Sequence, residues 1–173
     1  MKTAAMVLSA VLMAASAMAQ GQPAGRGSAQ AAPAEPAVPA PPPGSAGIYK
    51  ANTDLQAALK QAIAKTNDMA ASPIALTDQY RVNIVHRPKA NGAIAHPGFT
   101  ELHYIIDGSG TVVTGGKILR KAGAPAGSAT IEGGETHKVT KGDVIIVPAG
   151  SAHMYSEVNG EITYLEVRFI APK

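Results

Sequence analysis

Gly142-Asp143-Val144-Ile145-Ile146-Val147-Pro148-Ala149-Gly150-Ser151-Ala152-His153 is the stretch on which the fold turns. The β-branched run from Val144 to Val147 reads as a short strand. Pro148-Ala149-Gly150 breaks it, because proline donates no ladder bond and glycine accepts positive φ. The chain restarts just before His153, and Tyr155, two residues on, shares its face.

A second informative stretch runs His96-Pro97-Gly98-Phe99-Thr100-Glu101-Leu102-His103-Tyr104-Ile105-Ile106-Asp107-Gly108. In a strand, Glu101, His103 and Ile105 point one way, and Leu102, Tyr104 and Ile106 the other. An imidazole and a carboxylate are costly to bury unpartnered on an otherwise apolar face. They either face water or converge on something, and a metal ion suits both.

Around these segments lie further short runs rich in β-branched and aromatic residues. They are Tyr80 to His86, Glu101 to Ile106, Thr111 to Thr114, Lys117 to Leu119, Thr136 to Thr140, Val144 to Val147, His153 to Glu157 and Glu161 to Phe169. Asn91-Gly92, Asp107-Gly108, Gly115-Gly116, Gly133-Gly134, Gly142-Asp143 and Asn159-Gly160 punctuate them as turns. Lys121 to Ser128 reads as a surface loop. Many short strands with regular turn signals predict an all-β sandwich or barrel. None of the glycine pairs has the strand-then-helix setting of a phosphate-cradling loop.

Both quoted segments resemble the cupin motifs. The second motif, G-(x)5-P-x-G-(x)2-H-(x)3-N, is matched by Gly142, Pro148, Gly150 and His153, with Glu157 at the final position. The first, G-(x)5-H-x-H-(x)3,4-E-(x)6-G, is matched by His96, Glu101 and Gly108, with Pro88 for its first Gly and Ile94 for its first His. The resemblance covers Tyr80 to Phe169. It implies a small antiparallel, jelly-roll-like β-barrel with ligands on inward faces near one mouth. It also implies one divalent metal ion, drawn from Fe, Mn, Zn, Ni or Cu, and a homodimer.

Carried over by position, His96, Glu101 and His153 are metal ligands, and Ile94 removes one that the family expects. His103 shares the face of Glu101 and is either the replacement ligand or a hydrogen-bond donor behind the ligands. His103 and Tyr155 are the candidate proton carriers, with a wall tyrosine of satisfied hydroxyl as the alternative for Tyr155. His86 is expected at the rim and His137 in solvent. The function expected is action on a small organic molecule at the metal, by dioxygenase or other oxidoreductase, isomerase or lyase chemistry. The alternative is a non-catalytic small-ligand module with structural or no metal.

Outward from the strands, the chain divides simply. Residues 1–19 have the pattern of a secretory signal: Lys2, an apolar run from Ala4 to Ala15, then Ala17 and Ala19 at an A-x-A site. That run is short of the about 20 residues a spanning helix needs. Export to a periplasmic or extracellular location follows, with no transmembrane segment after cleavage. Residues 20–47, rich in Ala, Pro and Gly, read as a disordered tether. Residues 48–72 carry an amphipathic helix: Thr53-Asp54-Leu55-Gln56 fits a capping box, Leu55, Leu59, Ala62, Ile63 and Thr66 form its stripe, and Asn67 ends it. The barrel takes residues 73–173. Its outward face of Leu102, Tyr104 and Ile106 calls for cover by this helix or a second subunit. With no cysteine, no disulfide staples the fold, and a net charge of +3 gives no nucleic-acid surface.

Overall fold

A computed structural model describes residues 38–125 and 127–170. The proposed leader (residues 1–19) and most of the proposed tether lie outside the described residues. The end of the tether is tacked down: Val38 bridges Thr77, and the Ala40 amide donates to Asp78 Oδ1 at 2.9 Å.

The helix α1 spans Asn52–Ile63. It begins earlier than the proposed capping box, with Ala51 at the cap and no side-chain cap bond. Gln56 instead donates to Asn52 Oδ1 at 3.4 Å, while Asp54 in the first turn complements the helix dipole. Leu59 is its buried anchor.

Eight strands follow: β1 (Ala70–Leu76), β2 (Tyr80–Arg87), β3 (Thr100–Thr114), β4 (Lys117–Leu119), β5 (Thr130–Glu132), β6 (Glu135–Thr140), β7 (Val144–Val147) and β8 (His153–Phe169). All ladders between them are antiparallel. The main sheet runs β1-β2-β8-β3-β6, with β7 also on β3, while β4 and β5 form a separate pair. The all-β expectation holds. Among the described residues the pairings leave β1 and the β6/β7 side as edges, so hydrogen bonds do not close a ring.

Two long strands replace four expected short ones. Asp107-Gly108 and Asn159-Gly160 are not hairpin turns: each lies inside a strand, with Gly108 at φ 82° and Gly160 at φ 80°. The β3–β8 register shifts between Ile105 and Asp107 and again between Gly108 and Gly110. Such bulges bend a strand and swap which residues face inward. Glu101, His103 and Ile105 are therefore buried before the bend, and Gly110 and Val112 after it. Two strands escaped the sequence reading. β1 contains Pro73 and pairs only with β2, an edge position where the missing donor is tolerated; β5 is three residues long.

The inward face is apolar at one end and polar at the other. Val85, Ile105, Val112, Val139, Tyr155, Ile162 and Tyr164 form the core cluster. Fully burying an Ile such as Ile105 or Ile162 contributes about 1.5–3 kcal/mol. On the opposite face α1 packs on β1 and β2. It does not cover Leu102, Tyr104 and Ile106, and Tyr104 remains 43% exposed. An open cleft of about 390 Å³ lies between α1 and β1, lined by Lys65, Met69 and Ser72 among others.

Candidate metal centre

Three elements deliver the polar end of the inward face. β3 brings Glu101 and His103, and β8 brings His153 at its start and Glu166 and Arg168 near its end. The segment before β3 brings His96. It is pinned by reciprocal backbone bonds between Ile94 and His153 (3.0 and 2.9 Å) and by the Gly150 amide on the His96 carbonyl (3.1 Å). Pro148-Ala149-Gly150 thus places His153 and His96 together.

Glu101 sits at the centre and is 1% exposed. Its Oε1 lies 3.7 Å from His96 Nε2 and 3.7 Å from His153 Nε2. Its Oε2 lies 3.6 Å from His103 Nε2 and 3.3 Å from Arg168 Nε. Separations of 3.6–3.7 Å are too long for hydrogen bonds. They are close to the edge of a tetrahedron around one ion, about 3.3–3.6 Å for ligand bonds of 2.0–2.2 Å. His96 Nε2 and Glu101 Oε2 are buried with no hydrogen-bond partner.

The tautomer of His153 sharpens this. Its Nδ1 is 3.2 Å from the Ser151 carbonyl, which only accepts, so the proton resides on Nδ1 and Nε2 presents a lone pair. Burial first, with Arg168 in the same direction and Glu101 opposing, holds His153 and His96 below their ordinary value, keeping both neutral at pH 7. Burial alone would raise the Glu101 carboxyl. His103, then the charges of His153, Arg168 and His96, pull it down to about 2. With the histidines neutral, Arg168 is the standing positive charge in contact with Glu101. The His153 lone pair and the unpartnered His96 Nε2 therefore confront an ionised carboxylate, an arrangement that a cation between them relieves.

The structure gathers His96, Glu101, His103 and His153, but not around one oxygen. His96 and His153 address Oε1, while His103 addresses Oε2 and groups with Glu166 on β8. Tyr155 is buried, its hydroxyl 3.3 Å from His103 Nδ1, and burial raises its pKa far above the ordinary range. The rings of His103 and Tyr164 lie 4.7 Å apart. His137 is exposed beside Glu135 at 3.2 Å. His86, expected at the rim, is instead buried opposite Ala70, with Glu161 at 3.7 Å.

Glu166 and Arg168 escaped the sequence reading. Alternating with Leu165 and Val167, they look like the solvated face of an amphipathic strand. Register reverses that: His103 pairs with Glu166 and Glu101 with Arg168, on the inward side. Arg168 Nη2 pairs with Glu166 Oε1, and Asn83 donates to Glu166 Oε2 at 3.2 Å. The usable signal was the outward stripe Leu165, Val167 and Phe169, which matches Leu102, Tyr104 and Ile106 in kind.

The Cupin family model matches residues 77–161, from the β1–β2 turn into β8. The chain belongs to the cupin superfamily. No curated protein matches this cupin in sequence. Among solved structures it is similar to a predicted oxalate decarboxylase of Thermotoga maritima (18% identity, 60% of this chain and 81% of that one, TM-score 0.44). It is also similar to KdgF from a Halomonas species (11%, 62% and 84%, TM-score 0.44). A third is Fe(II)-HppE, crystallised with an alternative substrate (12%, 60% and 51%, TM-score 0.47). Their chemistry is their own.

Proposed function

We propose that this cupin is exported, holds one divalent metal ion through His96, Glu101 and His153, and acts there on a small organic molecule. The observation that carries the metal reading is the lone pair of His153 Nε2 facing the ionised Glu101 at 3.7 Å, with His96 Nε2 unpartnered beside it. Two histidines and a carboxylate suit Fe, Mn, Zn, Ni or Cu, and three protein ligands leave positions for a substrate. Bound there, such an ion supplies Lewis acidity, or O2 activation if it is redox-active. This chain's residues do the rest. Ser151 fixes the His153 tautomer, His103 and then Arg168 help keep Glu101 ionised, and the Tyr155 hydroxyl with His103 Nδ1 holds a proton beside the carboxylate. That pair is the candidate proton carrier for oxidoreductase, isomerase or lyase chemistry.

A second reading, a non-catalytic small-ligand module, is favoured by Ile94, which supplies a backbone bridge where the family motif has a ligand. Export rests on Lys2, the apolar run and Ala17 and Ala19; N-terminal sequencing of the secreted protein checks it. Among the described residues no helix is long and apolar enough to cross a membrane. The uncovered face of Leu102, Tyr104 and Ile106 supports the homodimer.

Elemental mass spectrometry on the purified protein tests the centre. Near-stoichiometric metal is expected in wild type and in His137→Ala, and a loss of most of it in His153→Ala. Equal metal in both variants contradicts the assignment. Consumption of a small organic acid under O2 by the loaded protein then separates enzyme from module.

A further inference from the structure

The inward face carries more positive charge than the metal reading uses. Arg81 on β2 and Arg168 on β8 are direct cross-strand partners, and both lie on the side of Asn83, Glu166 and Glu101. Directly opposed side chains have Cβ atoms about 5 Å apart, and like charges in that position repel. Arg168 is offset by Glu101 and Glu166. Arg81 has no carboxylate within ion-pair reach among the described residues. Its Nε is buried and unbonded, whereas that of Arg168 faces Glu101 Oε2 at 3.3 Å.

The position of Arg81 is specific. Its guanidinium carbon lies 5.9 Å from the Phe99 ring centroid, and the Phe99 amide donates to the His96 carbonyl at 3.3 Å. Deeper on the same face, Arg87 is buried with its guanidinium carbon 5.1 Å from the Tyr155 ring centroid and donates to the Tyr164 hydroxyl. Three arginines thus face two carboxylates, Glu101 and Glu166. The face is net positive before any ion binds, and a divalent ion makes it more so. Low-dielectric walls amplify such an imbalance.

We infer that Arg81 and Arg168 form an anion-binding subsite beside His96 and Glu101, and that the ligand is a small organic carboxylate. A guanidinium presents planar N–H donors that match a carboxylate's two oxygens. A carboxylate between Arg81 and Arg168 removes their repulsion and gives the orphaned Nε–H of Arg81 an acceptor. The subsite deepens the proposed function by naming a substrate class, and it rests on that reading only for the ligand's second contact, at the metal.

Calorimetric titration with malonate, and with the neutral isostere malonamide, tests it on Mn(II)-loaded and on EDTA-treated protein. Malonate is expected to bind wild type and malonamide not. In Arg81→Gln malonate should bind about tenfold more weakly or worse, the loss of one charged hydrogen bond. Arg81→Lys should recover part of that loss. Unchanged malonate affinity in Arg81→Gln, equal binding of malonamide, or no malonate binding in either metal state overturns the subsite. Malonate binding that depends on Arg81 in protein that retains no Mn(II) upholds the subsite and removes the metal reading.

Discussion

Burial holds the His96 and His153 imidazoles below their ordinary value of 6.5, and Glu101 is drawn from 4.5 to about 2. In each case the unfolded chain binds protons at a higher pH than the folded one. Stability therefore rises with pH through these ranges and is lost on acidification. The histidine contribution is present above 6.5 and fades as pH falls through the folded values. The Glu101 contribution is present above 4.5 and fades toward about 2. The melting temperature of EDTA-treated protein should accordingly fall from pH 7.5 to 5 and fall further below 4.5. A flat profile contradicts the buried neutral histidines. Tyr155→Phe keeps the ring packing and removes the bond to His103, so denaturant unfolding should register a loss of about 1 kcal/mol. At this scale the sequence was half legible. Glu101 and His103 declared themselves as polar groups on an apolar strand, and His153 by its Pro-Ala-Gly turn. Glu166 and Arg168 did not, because alternation reads the same whichever face is wet, and only pairing with β3 decides.

Among the elements, the informative disagreement is the fusion of short strands into β3 and β8. Asp-Gly and Asn-Gly announce positive φ correctly, but positive φ serves a bulge as well as a hairpin. What selects the bulge is the partner strand, which local sequence does not contain. The two glycines differ in a testable way. A Cβ on Gly108 would stand 2.1 Å from the Glu161 carbonyl oxygen, whereas one on Gly160 meets nothing within 4 Å. Gly160→Ala should cost about 1–2 kcal/mol from its backbone conformation alone. Gly108→Ala should cost at least about 2 kcal/mol more, or leave the chain unfolded, as followed by circular dichroism. Equal costs would mean that the two long strands are not clamped at Gly108. The edge strand β1 went unseen for a related reason: Pro73 argues against a strand until its outer position in the sheet is known.

At the scale of the whole molecule, the two faces of the sheet have opposite characters. Inward lie the ligands and arginines. Outward, Val144, Ile146, Leu102, Tyr104, Leu165 and Val167 continue across β7, β3 and β8, with Ile146 61% exposed. The helix expected to shield them lies instead over β1 and β2. Ile146→Lys should lower the sedimentation coefficient of the proposed dimer to that of a monomer while leaving metal content unchanged. An unaltered coefficient at micromolar protein removes this face as the contact. The class of fold was plain from strand and turn spacing, but which helix packs where was not, since an amphipathic stripe records that it is buried and not against what.

The reciprocal pair of backbone bonds between Ile94 and His153 has a use beyond holding His96 in place. Both amide hydrogens are locked in one small ring of backbone bonds, and one of its two residues, His153, carries a proposed ligand side chain. Occupation of the centre must slow the opening of that ring, and solvent deuterium will then enter both positions late. Two backbone resonances can thus report filling of the centre in a protein that has neither tryptophan nor cysteine to label.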